Sequence, residues 1–246
     1  MRKAVIPIIL LLLVANTFAL SATNPVYICP PRRLLLVSAE YSYTTVPFSG
    51  QAGKAIFWSQ RLGIHFSHTW FKILELGLIV GGADLNLRVP GVTEINGSWE
   101  LMAGAKARLQ YSQRLRTRRT RFLATINARF ALIRTRGNTF ITPLNYSVYY
   151  SWREYCLDGV CAIRYKNVAF AGGIRLIYVD ALGTWKPQTP TAYRRYSGHF
   201  TSRTVVKPIL GFNWEIKDNY VFDVEIYPIP WRKNESGFTI GFSNYR

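Results

Sequence analysis

His65 and Ser67 stand two residues apart, and Glu75 follows after an apolar stretch that contains a tight turn near Lys72. A hydroxyl activated by an imidazole, itself oriented by a carboxylate, is the logic of a nucleophile built for acyl transfer. A second group is Cys156 and Cys161, which bracket Leu157-Asp158-Gly159-Val160. In an exported, oxidising setting, two thiols around an Asp-Gly turn are expected to form a disulfide across a hairpin connection, with Cys29 left over. A third is the run R-L-R-T-R-R-T-R at 114–121, which has the composition of a phosphate-binding patch. The histidines His65, His68 and His199 are scattered without paired ligand spacing, so no metal or cofactor is expected.

What these residues can do depends on the elements that hold them. Residues 99–111, W-E-L-M-A-G-A-K-A-R-L-Q-Y, separate into two faces. Trp99, Leu101, Ala103, Ala105, Ala107, Leu109 and Tyr111 form one, with an aromatic at each end. Glu100, Met102, Gly104, Lys106, Arg108 and Gln110 form the other. Alternation of this kind belongs to a strand, whose successive side chains point to opposite faces. Its length exceeds the usual soluble strand of about 5–6 residues and suits a tilted crossing of a bilayer with interfacial aromatics.

The pattern recurs. Leu35 to Tyr43, Leu62 to Phe66, Leu74 to Val80, Phe122 to Leu132, Leu144 to Trp152, Val168 to Tyr178, Pro208 to Ile216, Tyr220 to Ile226 and Phe238 to Phe242 all alternate. With 99–111 they predict an all-β fold: an antiparallel transmembrane β-barrel of about ten strands, apolar sets facing lipid. Dividing 163–179 and 228–236 differently gives eight or twelve. An even count places both termini on the periplasmic side. The tight turns at 70–72 and 217–219 are then periplasmic, as are the connections at 114–120 and 156–161. The longest connection, Asp180 to Ser202, is extracellular, where long loops belong. A soluble sandwich would have to hide ten aromatic-flanked faces in one core.

The start of the chain agrees with export. Met1, Arg2 and Lys3 precede the short apolar run Ala4 to Ala15, and L-S-A at 20–22 is small-residue cleavage chemistry. Residues 1–22 are expected to be a signal peptide, too short for a comfortable transmembrane helix, and 23–246 one barrel domain. Hydrophobic residues make up 49% of the chain and aromatics 15%, a mixture that fits alternating strands better than helical spans. The formal net charge is +18, which raises nucleic acid as a partner. Export and the absence of a nucleic-acid-binding motif argue against it. The 114–121 run reads instead as a solvated turn attracted to anionic outer-membrane lipids.

In this register the inner face carries Glu40, Glu75, Glu100, Glu215, Asp223 and Glu225 against Arg61, Lys106, Arg108, Arg129, Arg153, Arg175 and Lys207. The two sets nearly balance, and a barrel of 8–10 strands is narrow enough for side chains to fill. Glu75, Glu100, Lys106, Arg108, Arg129, Arg175 and Glu215 are therefore expected to form an ion-pair network that constricts the lumen, because an unpaired charge there is costly. Conductance should be small or absent, and serine at Arg108 and Arg129 should raise it.

Several segments carry a resemblance. L-G-I-H-F-S-H-T-W-F-K-I-L-E-L-G-L (62–78), W-E-L-M-A-G-A-K-A-R-L (99–109), F-N-W-E-I-K-D-N-Y (212–220), S-G-F-T-I-G-F (236–242) and the opening C-P-P-R-R-L-L-L (29–36) are similar to segments of transporter-like bacterial outer-membrane β-barrel proteins of uncharacterised family. The resemblance implies a barrel and no particular reaction. The end departs from it: Asn244-Tyr245-Arg246 lacks the terminal aromatic usually read by the barrel-assembly machinery, for which Tyr245 can substitute. The expected function is a non-enzymatic outer-membrane component serving envelope structure or small-solute passage. One rival is a lipid A-modifying hydrolase using His65, Ser67 and Glu75. Outer-membrane lipid A deacylases use a His-x-Ser arrangement with a nearby Glu, but at the lipid-facing exterior, whereas this register places the pair inside. The other rival is a scaffold that binds a periplasmic partner through 114–121.

Overall fold

Strands whose two faces differ in polarity must close on themselves to leave no unpaired edge in lipid, and this chain does so. The computed structural model describes residues 35–50, 53–70, 73–88, 95–115, 120–141, 144–188, 196–202, 205–217, 220–227 and 237–245. The expected signal peptide and Cys29 lie outside the described residues, as do 116–119 of the basic run.

The strands in chain order are β1 (Leu35–Gly50), β2 (Gly53–Trp70), β3 (Leu74–Ala83), β4 (Asn86–Arg88), β5 (Asn96–Gly97), β6 (Glu100–Arg114) and β7 (Thr120–Ile141). They continue as β8 (Leu144–Tyr165), β9 (Val168–Pro187), β10 (Tyr196–Thr201), β11 (Val205–Lys217), β12 (Tyr220–Tyr227) and β13 (Gly237–Tyr245). All pairings are antiparallel. β4 continues β3 along β2, β5 continues β6 along β7, and β10 continues β11 along β9. Thirteen strands thus make ten staves, closed by β1 against β13 from Leu36↔Tyr245 to Thr44↔Gly237.

The break between β3 and β4 is pinned by side chains. The Ser59 hydroxyl donates to the Asp84 carbonyl, the Gln60 amide donates to the Asp84 carboxylate, and the Asp84 amide donates back to the Gln60 carbonyl at 3.0 Å. Burial raises the Asp84 carboxyl above its ordinary range.

Around the wall runs a belt of exposed apolar side chains, among them Leu62, Ile64, Phe66, Leu78, Leu101, Ile126, Phe170, Ile174 and Leu210. Many of the side chains of the opposite parity, inside, are charged or hydroxylic, among them Ser38, Glu40, Arg61, Ser67, Glu75 and Arg175. An apolar exterior around a polar interior is the arrangement of an outer-membrane barrel, and the belt places this protein in the outer membrane. The two-residue turn at Lys166-Asn167, with Lys166 at φ 54°, joins β8 to β9 on the side that also holds both ends of the described chain, which is periplasmic.

β7 and β8 have 22 residues each, roughly 70 Å of strand, against an apolar band of about 25 Å. The excess rises outside the membrane. There β12 and β13 have ended, and β1 pairs directly with β10 through Ser49↔Thr201 and Gly50↔Phe200. β4 and β5 are bridged by Leu87↔Ile95. The ten-stave barrel therefore narrows to an eight-stave cap made of β1, β2, β4, β5, β7, β8, β9 and β10.

Polarity inverts where the cap begins. In the bilayer the even positions of β8 face inward and carry the charged Glu154 and Asp158, while the odd ones Tyr155, Leu157 and Ile163 are apolar and outward. In the cap the even positions Val148, Tyr150 and Trp152 are buried, while Arg153 points out. This corrects four expectations. Of the 144–152 set, Tyr146, Val148, Tyr150 and Trp152 face the cap core and not lipid. Arg153 is on the outer wall. Residues 156–161 are mid-strand, and most of Asp180 to Ser202 is strand as well.

Candidate functional site

The inner face is the one place where this fold collects chemistry, and it is layered. Toward the periplasmic ends of β8 and β9, Leu123, Val160, Ala162, Ala169, Ala171, Ile209 and Tyr227 form a small apolar cluster. Above it lies a band of charge, and above that the cap core.

Three ion clusters make up the band. In the first, Glu75 of β3 accepts from Lys106 Nζ at 2.9 Å and from Arg108, both on β6, and from the Ser67 hydroxyl at 2.7 Å. A side chain at Gly77 would lie 2.5 Å from Ser67 Cβ and 2.8 Å from Lys106 Cε, so glycine there leaves the lysine room to reach its carboxylate. In the second, Arg61 of β2 grips Glu154 of β8 through both oxygens, at 3.1 and 2.8 Å. Arg129 of β7 reaches the same Glu154 at 2.8 Å and Glu40 of β1 at 3.8 Å, and His65 Nε2 lies 3.1 Å from Glu40. In the third, Arg175 of β9 forks onto Asp158 of β8 at 2.6 and 2.7 Å and contacts Glu225 of β12 at 3.4 Å, its guanidinium over the Tyr227 ring. Bidentate guanidinium–carboxylate pairs are the form that best repays burial of charge.

Lys207 Nζ donates to the Thr45 carbonyl at 2.9 Å. Asp223 is the exception: it is fully buried, and neither carboxylate oxygen has a partner among the described residues.

The cap core seals the extracellular end. Phe57, Leu85, Leu87, Ile133, Val148, Tyr150, Trp152, Val179 and Ala181 are buried together. Phe57 meets Tyr150 and Trp152 edge-on at 5.9 and 5.5 Å, a favoured aromatic geometry. Arg61 lies 5.7 Å from the Trp152 ring and so joins core to ion band.

Of the residues the sequence singled out, Glu75, Lys106 and Arg108 meet in one cluster, while Arg129 and Arg175 belong to the other two. Glu100 and Glu215 stand apart. Glu100 pairs at 3.1 Å with Arg136 on the exposed outer wall, and Glu215 pairs with Arg164 near the periplasmic rim. Glu154 and Asp158 were missed. Asp158-Gly159 reads as a turn by type, but the alternation of Glu154 and Asp158 with Tyr155 and Leu157 was their signal.

His65 and Ser67 share the interior but bond to different carboxylates, Glu40 and Glu75. The expected disulfide is corrected. Cys156 and Cys161 are free thiols on one strand, and their odd separation sends Cys156 inward, beside Glu154, and Cys161 to the lipid wall.

No family model matches the sequence, and no curated protein matches it. Among solved structures, the barrel is similar to the outer membrane protease OmpT from Escherichia coli, at a TM-score of 0.54 and 9% identity over 88% of this chain and 97% of that one. Fainter likenesses are to an outer membrane channel from Pseudomonas putida F1, with TM-score 0.38 and 9% identity over 92% and 100% of the two chains. Another is to the translocator domain of the autotransporter NalP from Neisseria meningitidis, with TM-score 0.33 and 12% identity over 87% and 88%. At such identity the OmpT likeness speaks to fold alone: this chain has the fold of a bacterial outer-membrane β-barrel.

Proposed function

We propose that this protein is a non-enzymatic outer-membrane barrel with a closed interior, serving envelope structure rather than the passage of solutes. The observation that carries the reading is the burial of inward side chains at every level. Trp152 and Phe57 in the cap, Arg61, Glu154, Arg175 and Lys207 in the ion band, and Ile209 below it are each at most 1% exposed. A water-filled channel would leave such side chains accessible along its length, as porin lumens do. Ion pairs fix the middle of the barrel, and the eight-stave cap is narrow enough for its own side chains to fill.

The test is reconstitution into planar bilayers. The unmodified protein should give no steady single-channel current. Contrary to the expectation from sequence, Arg108→Ser combined with Arg129→Ser should still conduct little, because the cap core remains shut, and adding Phe57→Gly and Trp152→Gly should open a measurable current. Large, stable currents from the unmodified protein would overturn the reading in favour of a pore.

A further inference from the structure

Directly above the lipid-facing belt, the outer wall of β7, β8 and β9 changes from apolar to basic within one row of side chains. The last apolar row is aromatic: Phe130, Tyr155 and Tyr178 stand side by side, ring centroids 5.2 and 6.1 Å apart. The pairing register stacks four rows above it. Leu132, Arg153 and Asp180 come first, then Arg134, Ser151 and Leu182, then Arg136, Tyr149 and Thr184, and last Asn138, Ser147 and Lys186. Arg136 and Lys186 both lie over the Tyr149 ring, at 5.7 and 5.1 Å.

Charge on this wall is not self-compensated. Arg153 reaches Asp180 only at 3.9 Å, and His199 contacts the same carboxylate. Arg136 is paired with Glu100 yet remains 68% exposed. Arg134 is exposed and has no ion-pair partner among the described residues. It sits diagonal to Arg153 and two residues from Arg136 on the same face, spacings at which like charges repel unless an anion lies between them. Solvation alone would be served by hydroxyls such as those of Ser147, Ser151 and Thr184 in the same rows. Aromatics mark the interface between hydrocarbon and headgroups, so the arginines stand at headgroup depth. Guanidinium groups match phosphate oxygens in a bidentate fork.

We infer that Arg134, Arg136, Arg153 and Lys186 form a site for the phosphates of a phosphorylated glycolipid of the outer leaflet, its acyl chains lying against the apolar wall below. The inference rests on the orientation of the barrel in the membrane and is independent of whether the interior is closed.

Purified barrel in mild detergent, titrated with lipid A carrying two phosphates, one or none and read by native mass spectrometry, tests this. Retention should fall with each phosphate removed and should resist millimolar inorganic phosphate. Arg134→Ala with Arg153→Ala should weaken retention of the bisphosphorylated form roughly tenfold. Lys166→Ala, in the turn at the opposite rim, should leave it unchanged. Gel mobility before and after boiling shows that each variant is folded. Equal retention of all three lipid forms, or full retention by the folded Arg134/Arg153 variant, would overturn the site. Displacement by inorganic phosphate would overturn the lipid assignment in favour of a soluble anion.

Discussion

At the scale of the residue, the interior offers a contrast between charge that is held and charge that is not. Glu154 accepts from two arginines and is buried. Removing one partner of such a cluster leaves uncompensated charge in a dry interior, at a cost of about 3–5 kcal/mol. Glu154→Gln should therefore lower the urea midpoint of the vesicle-reconstituted protein, followed by tryptophan fluorescence. Asp223→Asn should not, because Asp223 has no partner to lose among the described residues and burying its ionised form is unfavourable. A destabilised Asp223→Asn variant would mean that a partner is held there after all. Ser67 donates to Glu75 while His65 is engaged with Glu40. Ser67→Ala should accordingly leave the lipid A pattern of producing cells unchanged by mass spectrometry, and a shifted acylation pattern would revive the hydrolase.

At the scale of the element, the long strands are two structures in series. β8 obeys one polarity rule within the bilayer and the reverse rule in the cap, since outside the membrane the apolar face must turn inward to escape water. Trp152 is fully buried at the junction, between Phe57 and Arg61. Trp152→Ala should cost about 3–5 kcal/mol, and the loss should be local. Hydrogen exchange should rise for the amides of 146–152 and stay unchanged for 156–163, whose partners lie in the membrane. Uniform loosening along all of β8 would show that cap and barrel unfold as one unit.

At the scale of the whole molecule, the orientation is testable from outside the cell. Lys186 is exposed in the cap, and Lys166 lies in the tight turn at the other end. In a background with the native cysteines replaced by serine or alanine, Lys186→Cys should react with a membrane-impermeant maleimide on intact cells. Lys166→Cys should react only after the outer membrane is permeabilised. The opposite pattern would invert the barrel and with it the outer-leaflet lipid site.

Sequence alone indicates a barrel of about ten staves, because each membrane strand writes its faces locally: Leu35 to Tyr43, 99–111, Phe122 to Leu132 and Phe238 to Phe242 alternate with no need of a partner. It also assigned Glu75, Lys106, Arg108, Arg129 and Arg175 to the inside, since parity carries along a strand. It left open which inward acid meets which inward base, because register between strands decides that. Glu75 and Arg108 face each other across β3 and β6, whereas Arg61 and Glu154 are brought together only by closure of the barrel. The cap was misread for a related reason. Alternation says that a strand has two faces but not which medium each one meets, so Val148, Tyr150 and Trp152 were assigned to lipid, and Asp158-Gly159 to a turn. Only the tertiary structure shows β12 and β13 stopping, β10 closing onto β1, and the apolar side of the same strands turning from bilayer to core.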